Sequence, residues 1–236
     1  MFSRKGLLLA VLVLTMALVV PGCITLDGGG IGTTTTETFE ETYPVTAGAR
    51  LDIRNQNGGI TIVPADGDSI VVRAVKHTNY GKSEFDKVRI DVTKGDPFTV
   101  VTTILREPAR VSIDYEIRVP RSMLVRTANT TNGSIKVTGV NGTVELHTSN
   151  GSVTAANVDG AVSAATTNGN LTLWVAPDLP ATLEASTTNG SLDTDGITLD
   201  NATASKHSIR GDLGVPNGTL SARTTNGNLT VHKLNP

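Results

Sequence analysis

The chain has 236 residues, with 20 Lys or Arg against 22 Asp or Glu, so its formal net charge is only −2. A chain so close to neutral lacks the basic excess that draws a protein to nucleic acid or to an anionic membrane surface, so the summed charge implies neither partner. Aromatic residues make up 3% of the chain, too few to supply the stacking platforms of proteins that hold single-stranded nucleic acid or carbohydrate.

Residues 1–22 have the layout of a signal peptide, with Arg4 and Lys5 ahead of an apolar run over residues 7–20. The segment ends in Val-Pro-Gly followed by Cys23, which resembles the lipobox of prokaryotic lipoproteins. That resemblance implies a diacylglyceryl group on Cys23, the only cysteine of the chain, and an exported protein held at the outer face of the cell membrane. An ordinary signal peptide with a stray cysteine, or an uncleaved anchor, is the alternative.

Residues 23–42 follow the cysteine and are rich in Gly, Thr and Glu. Such a composition buries too little apolar surface to fold. We therefore expect a lipid-anchored flexible tether over residues 23–42 that holds the folded part away from the membrane.

Residues 43–126 alternate apolar and polar positions between turn-forming residues, which predicts short strands. No stretch keeps a helical period. This β-rich N-terminal part is expected to cap the more regular residues 127–236, since stacked repeats leave unpaired strand edges at both ends. The predicted strands contain Leu51 and Ile53, Ile60 and Ile62, Ile70 and Val72, Val88 to Val92, residues 99–104 and residues 111–119.

An Asn-Gly or Asp-Gly pair returns every nine residues in the second part, and two apolar columns keep the same period. Self-similarity this short predicts one structural unit repeated many times. The pairs are Asn132-Gly133, Asn141-Gly142, Asn150-Gly151, Asp159-Gly160 and Asn168-Gly169, with Asn189-Gly190 and Asn226-Gly227 after a break near Trp174. The columns are Ile135, Val144, Val153, Val162, Leu171 and Val137, Leu146, Ala155, Ala164, Leu173.

Two all-β folds accommodate this repeat. Asn-Gly turns could join seven-residue strands into an antiparallel meander, which would place Val137 opposite Leu146. A parallel β-solenoid, right-handed and with about 18 residues per coil, would instead stack Ile135 on Val153 and let the turn asparagines form a ladder. The solenoid is favoured because a single open sheet needs a cover for its apolar face, and no helix is predicted to provide one.

Several phrases of the repeat resemble the rungs of a bacterial and archaeal family of "putative adhesins", a domain of unknown function with a β-solenoid body. The likeness covers about residues 45–234 and implies a cell-surface β-solenoid with no catalytic residues to carry over. The phrases are Thr131-Asn132-Gly133-Ser134-Ile135-Lys136-Val137, Ser149-Asn150-Gly151-Ser152-Val153 and Thr225-Asn226-Gly227-Asn228-Leu229, together with residues 53–60 and 115–120.

The candidates for chemistry are few. Calcium-binding nonapeptide rolls need an Asp in each turn, whereas Asp159 is the only acidic member here. Asp193, Asp195 and Asp200 could form one weak cation site. A sugar-cleaving enzyme needs paired carboxylates, and only Asp178 and Glu184, in the insertion beside Trp174, suggest a cleft; otherwise Trp174 plugs the coil where the repeat breaks.

The remaining polar residues give no motif. The four histidines His77, His147, His207 and His232 are far apart in sequence, so no zinc site and no cofactor is predicted. Asn-x-Ser/Thr sequons arise largely from the turn chemistry itself, although an exported protein could be glycosylated there. The sequons begin at Asn129, Asn132, Asn141, Asn150, Asn170, Asn189, Asn201, Asn217 and Asn228.

The sequence therefore predicts a non-enzymatic, lipid-anchored β-solenoid at the cell surface, an adhesin or envelope scaffold. Its expected partners are the membrane, through the anchor, and a cell-envelope protein or polysaccharide, but not nucleic acid. The alternatives are a polysaccharide-active enzyme and an accessory protein of a membrane sensory or regulatory system.

Overall fold

The computed structural model describes residues 34–176 and 179–234, which form strands and one short 3₁₀ helix, Lys82–Lys87. No helix in these two ranges has the length and apolar character needed to cross a bilayer. The strands are β1 Thr35–Pro44, β2 Arg50–Arg54, β3 Ile60–Ala65, β4 Ser69–Thr78, β5 Val88–Thr93, β6 Phe98–Ile104, β7 Ser112–Pro120, β8 Leu124–Asn132, β9 Ile135–Thr138, β10 Val144–Asn150, β11 Val153–Ala156, β12 Val162–Asn168, β13 Leu171–Val175, β14 Ala181–Asn189, β15 Leu192–Asp195, β16 Asp200–Ala204, β17 Ser208–Leu213, β18 Thr219–Asn226 and β19 Leu229–Lys233.

The strands form two sheets. The nine-stranded sheet has the order β1-β4-β7-β3-β9-β11-β13-β19-β15, and the ten-stranded sheet has the order β16-β17-β14-β18-β12-β10-β8-β2-β6-β5. We call a rung one strand of the ten-stranded sheet together with the strand of the nine-stranded sheet that follows it in the chain. The rungs stack in the order β6–β7, β2–β3, β8–β9, β10–β11, β12–β13, β18–β19, β14–β15.

Neighbouring rungs pair in parallel, and antiparallel pairs occur only toward the ends of the sheets. Ile135 pairs with Val153, eighteen positions later, as the parallel arrangement predicted. The antiparallel meander is therefore wrong for this region. Val137 pairs with Ala155 in one sheet while Leu146 pairs with Ala164 in the other, because each nine-residue step carries the chain across to the opposite sheet.

The core lies between the two sheets. Every member of the two predicted apolar columns is buried, and one hydrophobic cluster takes residues from both sheets and from both parts of the chain. The cluster includes small residues such as Ala155, Ala164 and Ala222, which leave room for the two sheets to lie close together. Val, Ile, Leu and Ala thus fill the core, with Phe98 and Tyr115 as its largest rings, in a chain with few aromatics.

Two rungs lie out of chain order. The C-terminal rung β18–β19 pairs on one side with β12–β13 and on the other with β14–β15, although both precede it in the chain. At the other end, β2–β3 lies between β6–β7 and β8–β9, both of which follow it. The break in the repeat after Trp174 is thus the place where the chain skips one position in the stack, which its last rung later fills.

The tether prediction is wrong for residues 35–42, which lie in β1, antiparallel to β4. Cross-strand ion pairs join Glu37 to Lys76, at 2.6 Å, and Glu40 to Arg73, at 3.4 Å. Tyr43 at the end of the strand is buried. Threonine favours strands, and the ion pairs with β4 stabilise the glutamates in a strand. The composition of residues 35–42 alone does not reveal these partners.

Candidate functional site

The most regular polar feature is the corner at which each rung passes from the ten-stranded to the nine-stranded sheet. We call it the Asn corner, because six of the seven rungs have an asparagine at this point, and each asparagine after the first donates a hydrogen bond from Nδ2 to Oδ1 of the asparagine in the preceding rung of the stack. All five bonds measure 2.8 or 2.9 Å. In stack order the residues are Asn57, Asn132, Asn150, Asn168, Asn226 and Asn189. The ladder that the parallel fold predicted is present, with Asn226 inserted between Asn168 and Asn189.

The glycine after each of these asparagines is required by close approach of the rungs. A Cβ placed on Gly151 would lie 2.1 Å from the carbonyl oxygen of Gly133, and one on Gly169 would lie 2.1 Å from that of Gly151. Gly133 and Gly151 do not have the left-handed φ that a hairpin turn would need. The same close contact recurs at Gly227 and at Gly190, so the column of glycines sets the tight packing of the corner.

A second ladder lies just inside the first, and the sequence prediction missed it. The threonine two positions before each asparagine is buried, and its hydroxyl donates to the glycine carbonyl of the neighbouring rung at 2.8 to 3.1 Å. Asn55 replaces it in β2 and donates to the carbonyl of Ile113 at 2.8 Å. The signal in the sequence is the phrase Thr-x-Asn-Gly; its threonines are Thr130, Thr148, Thr166, Thr187 and Thr224.

The opposite corner, with Asn141-Gly142 and Asp159-Gly160, is built differently. Asn141 donates from Nδ2 to the carbonyl of Arg121 at 2.7 Å, so it does not take part in a ladder with Asp159. A Cβ on Gly160 would still lie 2.3 Å from the carbonyl oxygen of Gly142. This corner therefore shares the glycine requirement but not the amide ladder, which explains why an aspartate is accommodated at 159.

Trp174 and Glu184 do not line a common cleft; the small cavity beside Trp174, of about 30 Å³, does not include Glu184 in its lining. Trp174 projects from the outer face of the nine-stranded sheet and is stacked on His232, with ring centroids 4.2 Å apart. Glu184 projects from the outer face of the ten-stranded sheet and pairs with Arg210 at 3.1 Å. Trp174 is also no plug at the end of a coil, because rungs lie on both sides of it. Asp178 lies outside the described residues.

The other candidates for chemistry are dispersed. Asp195 lies 3.2 Å from Nδ1 of His232, whereas Asp200 begins β16 in the other sheet, so the three predicted aspartates do not converge. Within residues 34–176 and 179–234, no group of three His, Cys, Asp or Glu side chains could hold a metal ion. Cys23 and the rest of residues 1–33 lie outside the described part, so the predicted lipidation site is not seen.

The most buried carboxylate of the described residues, that of Asp52, has a structural role. Asp52 accepts hydrogen bonds from Nε of Arg126 and from the Thr127 hydroxyl, both at 2.7 Å. The hydrogen bond from Arg126 holds the pKa of the Asp52 carboxyl below its ordinary value, although burial acts in the opposite direction. A carboxylate kept ionised in this way joins β2 to β8, and it is not poised to exchange protons near neutral pH.

An open depression lies at the β1 end of the stack. It has a volume of about 390 Å³ and is open to solvent. Thr34, His77, Tyr80 and Arg110 contribute to its lining, beside the first residue of the asparagine ladder, Asn57. His77 lies 3.2 Å from Asp114. The depression lacks the enclosed apolar walls that small-molecule sites usually have.

Comparison with known proteins identifies the fold more closely. A family model described as Toastrack DUF4097 matches residues 51–232. A solved structure described as a "putative cell adhesion protein" from Clostridium sporogenes shares 9% identity, with 84% of this chain and 100% of that chain covered and a TM-score of 0.57. A "putative adhesin" from Bacteroides fragilis shares 10% identity over 83% of this chain and 97% of that chain, with a TM-score of 0.35. No curated protein matches the chain.

Proposed function

The chain belongs to the Toastrack DUF4097 family, and from that premise we propose that it is a non-enzymatic, lipid-anchored cell-surface protein that acts as an adhesin or envelope scaffold. The anchor is the diacylglyceryl group expected on Cys23. The folded part is the stack of rungs, and the two outer sheet faces are its contact surfaces.

The observation that carries this proposal is how the polar side chains of the Asn corner are used. The amide and hydroxyl groups that repeat there bond one rung to the next, in two ladders that run through the stack. Networks that are fully hydrogen-bonded in this way make a structure rigid and unique rather than reactive. A rigid stack with broad outer faces suits adhesion or scaffolding.

The similar solved structure supports the same role. The protein from Clostridium sporogenes is described as a "putative cell adhesion protein", and its fold covers 84% of this chain. Because a shared fold does not fix a function, this likeness supports the proposal only together with the lipobox and the ladders.

We also infer that the rungs form one continuous β-solenoid with about 18 residues per coil and a right-handed turn. The eighteen-position register between β9, β11 and β13 supports the coil length. The hand is supported by the general rule that a strand, a crossover and a second parallel strand turn to the right in about 98% of cases. The skipped position after β13 is then filled by a later coil of the same chain.

The experiment compares the wild-type chain with Cys23→Ser in the producing cells. We expect lipid label on the wild type only, protease accessibility at the cell surface, and release of Cys23→Ser into the medium. Binding of cells to beads that carry the purified wild type would then measure adhesion. Equal membrane attachment and equal label in the two chains would overturn the anchor.

The enzyme alternative is tested separately. The purified protein and Glu184→Gln are incubated with neutral and acidic polysaccharides, and the reducing ends are counted. We expect no release from either. Turnover by the wild type that Glu184→Gln abolishes would overturn the non-enzymatic assignment.

A further inference from the structure

The β1 end of the stack carries two loops that together form one exposed surface. The first, residues 79–82, leads into the 3₁₀ helix, and the second, residues 105–110, joins β6 to β7. We call them the loop surface, and we propose that it contacts the headgroup region of the bilayer in which the lipid anchor is inserted. This inference rests on the proposed anchor at Cys23 and adds an orientation to it.

The chain arrives from Cys23 at this surface. The Thr34 hydroxyl donates to Oδ1 of Asn79 at 2.8 Å, so the first described residue lies directly beside the first loop. Eleven positions separate Thr34 from Cys23, which even a fully extended chain spans in no more than about 40 Å. The loop surface is thus the part of the described fold next to which the anchored segment ends.

The composition of the loop surface is that of a membrane interface. Tyr80 is 59% exposed and Leu105 is 52% exposed, in a chain with few exposed large apolar residues. Lys82, Arg106 and Arg110 are exposed around them. Tyrosine is enriched at the level of the headgroups, and Lys and Arg extend their apolar stems along such a surface while their charges reach the phosphates.

Acidic residues face the same surface and reduce its charge. Asp86 and Glu107 are exposed, so the exposed charges of the 3₁₀ segment and the second loop sum to three positive and two negative, or +1. Glu84 is occupied, since it pairs with Lys87 at 2.6 Å and accepts from the backbone N–H of Arg110 at 2.9 Å. The chain as a whole has a net charge of −2, so these two segments depart from it toward positive charge.

The two loops are fixed to each other. The Arg110 guanidinium lies 4.4 Å from the centre of the Tyr80 ring, a cation–π contact. The buried Thr78 hydroxyl donates to the carbonyl of Arg110 at 2.7 Å and accepts from the N–H of Tyr80 at 3.2 Å. Lys87 donates to the carbonyl of Pro108 at 3.0 Å. Tyr80 and the arginine beside it are therefore presented together, without the cost of ordering two separate loops.

The part of the stack far from the loop surface supplies a built-in reference. Trp174, the only tryptophan, lies on β13, six strands from β1 in the nine-stranded sheet. At about 4.8 Å per strand, that places it about 29 Å from β1. Val215, which is 85% exposed, lies in the connection between β17 and β18 in the same part of the stack. If the loop surface faces the bilayer, both positions lie well outside it.

The test uses the full lipidated chain in vesicles of phosphatidylcholine and phosphatidylglycerol that carry a spin-labelled lipid quencher near the headgroups. Tyr80→Trp is made in a Trp174→Phe background, and Val215→Trp in the same background is the control at another exposed position. We expect the tryptophan at 80 to be quenched with its emission shifted to shorter wavelength, and the tryptophans at 215 and, in the wild type, at 174 to be unaffected. Adding Arg106→Ser should lower the equilibrium constant for contact, the ratio of contacting to non-contacting molecules, by about fivefold, the effect of one basic residue at an anionic surface.

Two outcomes overturn the inference, and they differ. If the chain floats with the vesicles but the tryptophan at 80 is quenched no more than that at 215, the anchor stands and the loop surface does not touch the bilayer. If the chain fails to float with the vesicles, the anchor itself is wrong, and the inference falls with the proposed function.

Discussion

The glycine column of the Asn corner makes a sharp prediction about stability. In Gly151→Ala the new methyl carbon would lie 2.1 Å from the carbonyl oxygen of Gly133, whereas ordinary contacts begin near 3.4 Å. The two rungs must therefore separate by about 3.4 − 2.1 = 1.3 Å at this point. Because Gly151 has neither an unusual φ nor a side chain to lose, the effect isolates the close approach of the rungs.

The magnitude follows from what that separation breaks. The Thr148 hydroxyl bond to Gly133 and the amide bond from Asn150 to Asn132 are both 2.8 Å long, and neither survives a lengthening of more than 1 Å. At about 1 kcal/mol each, the two bonds account for about 2 kcal/mol. Overpacking in a well-packed site adds about 1 to 3 kcal/mol. We expect Gly151→Ala to lower the free energy of unfolding by about 3 to 5 kcal/mol.

Urea unfolding followed by far-ultraviolet circular dichroism measures this loss, and the chain supplies a matched control. A Cβ on Gly218 would meet nothing within 4 Å, and its φ is ordinary. Gly218→Ala should be neutral or slightly stabilising, by up to about 1 kcal/mol, because it reduces the freedom of the unfolded chain. If the two variants unfold within 1 kcal/mol of each other, the claim that contact between rungs dictates these glycines is refuted.

Four further outcomes are expected. Thr148→Val should cost about 1 to 2 kcal/mol in urea unfolding, because the carbonyl of Gly133 loses its hydroxyl donor at a fully buried position; a neutral result would contradict it. Asn150→Asp should cost about as much at pH 7 and recover at pH 3, because a carboxylate cannot donate to the next asparagine and is repelled by it until protonated. Deleting residues 219–236 removes the rung β18–β19 and leaves β14–β15 without its neighbour in the stack. Hydrogen-exchange protection should therefore be lost in β14 and β15 as well, although both strands remain in the chain. Burial raises the pKa of Tyr115 to about 12 from an ordinary 10, so its contribution is intact below pH 10 and about 2 to 3 kcal/mol is lost as the pH rises through 12; Tyr115→Phe should flatten that part of the pH profile.

The parts of the fold that the sequence predicted are those fixed by local pattern. Strands around Leu51, Ile60 and Ile70 and the buried columns through Ile135 and Val137 lie where alternation placed them. The asparagine ladder also followed from the period, since like residues stack when the register is an even number of repeats. These predictions succeed because the side-chain period of a strand and the spacing between turns both depend only on residues that are close together in the chain.

The parts that it did not predict depend on partners distant in the chain. Thr and Glu in residues 35–42 suggested an unfolded tether, and only Lys76 and Arg73 on β4 give them an ordered place. The stacking of Trp174 on His232 joins residues 58 positions apart. The pairing of Tyr80 with Arg110 likewise brings together two loops that neither turn residues nor periodicity relates.

The two rungs that lie out of chain order, β2–β3 and β18–β19, affect which strands have hydrogen-bonded neighbours on both sides. If the last rung simply followed β14–β15, the terminal strands would be an edge with hydrogen bonds on one side only, open to fraying and to pairing with other chains. Here β18 pairs with β12 and β14, and β19 pairs with β13 and β15, so both strands of the C-terminal rung have neighbours on both sides. The rung that contains β14 can gain its full set of pairings only after β18 is in place, which couples the far end of the stack to the end of the chain. The insertion of β2–β3 at the opposite end places the N-terminal rung between two later ones in the same way. Because the first and the last rung of the chain each lie between two other rungs, the stack does not behave as a row of independent repeats in chain order, and we expect a change in either of these rungs to alter the stability of the rungs on both sides of it.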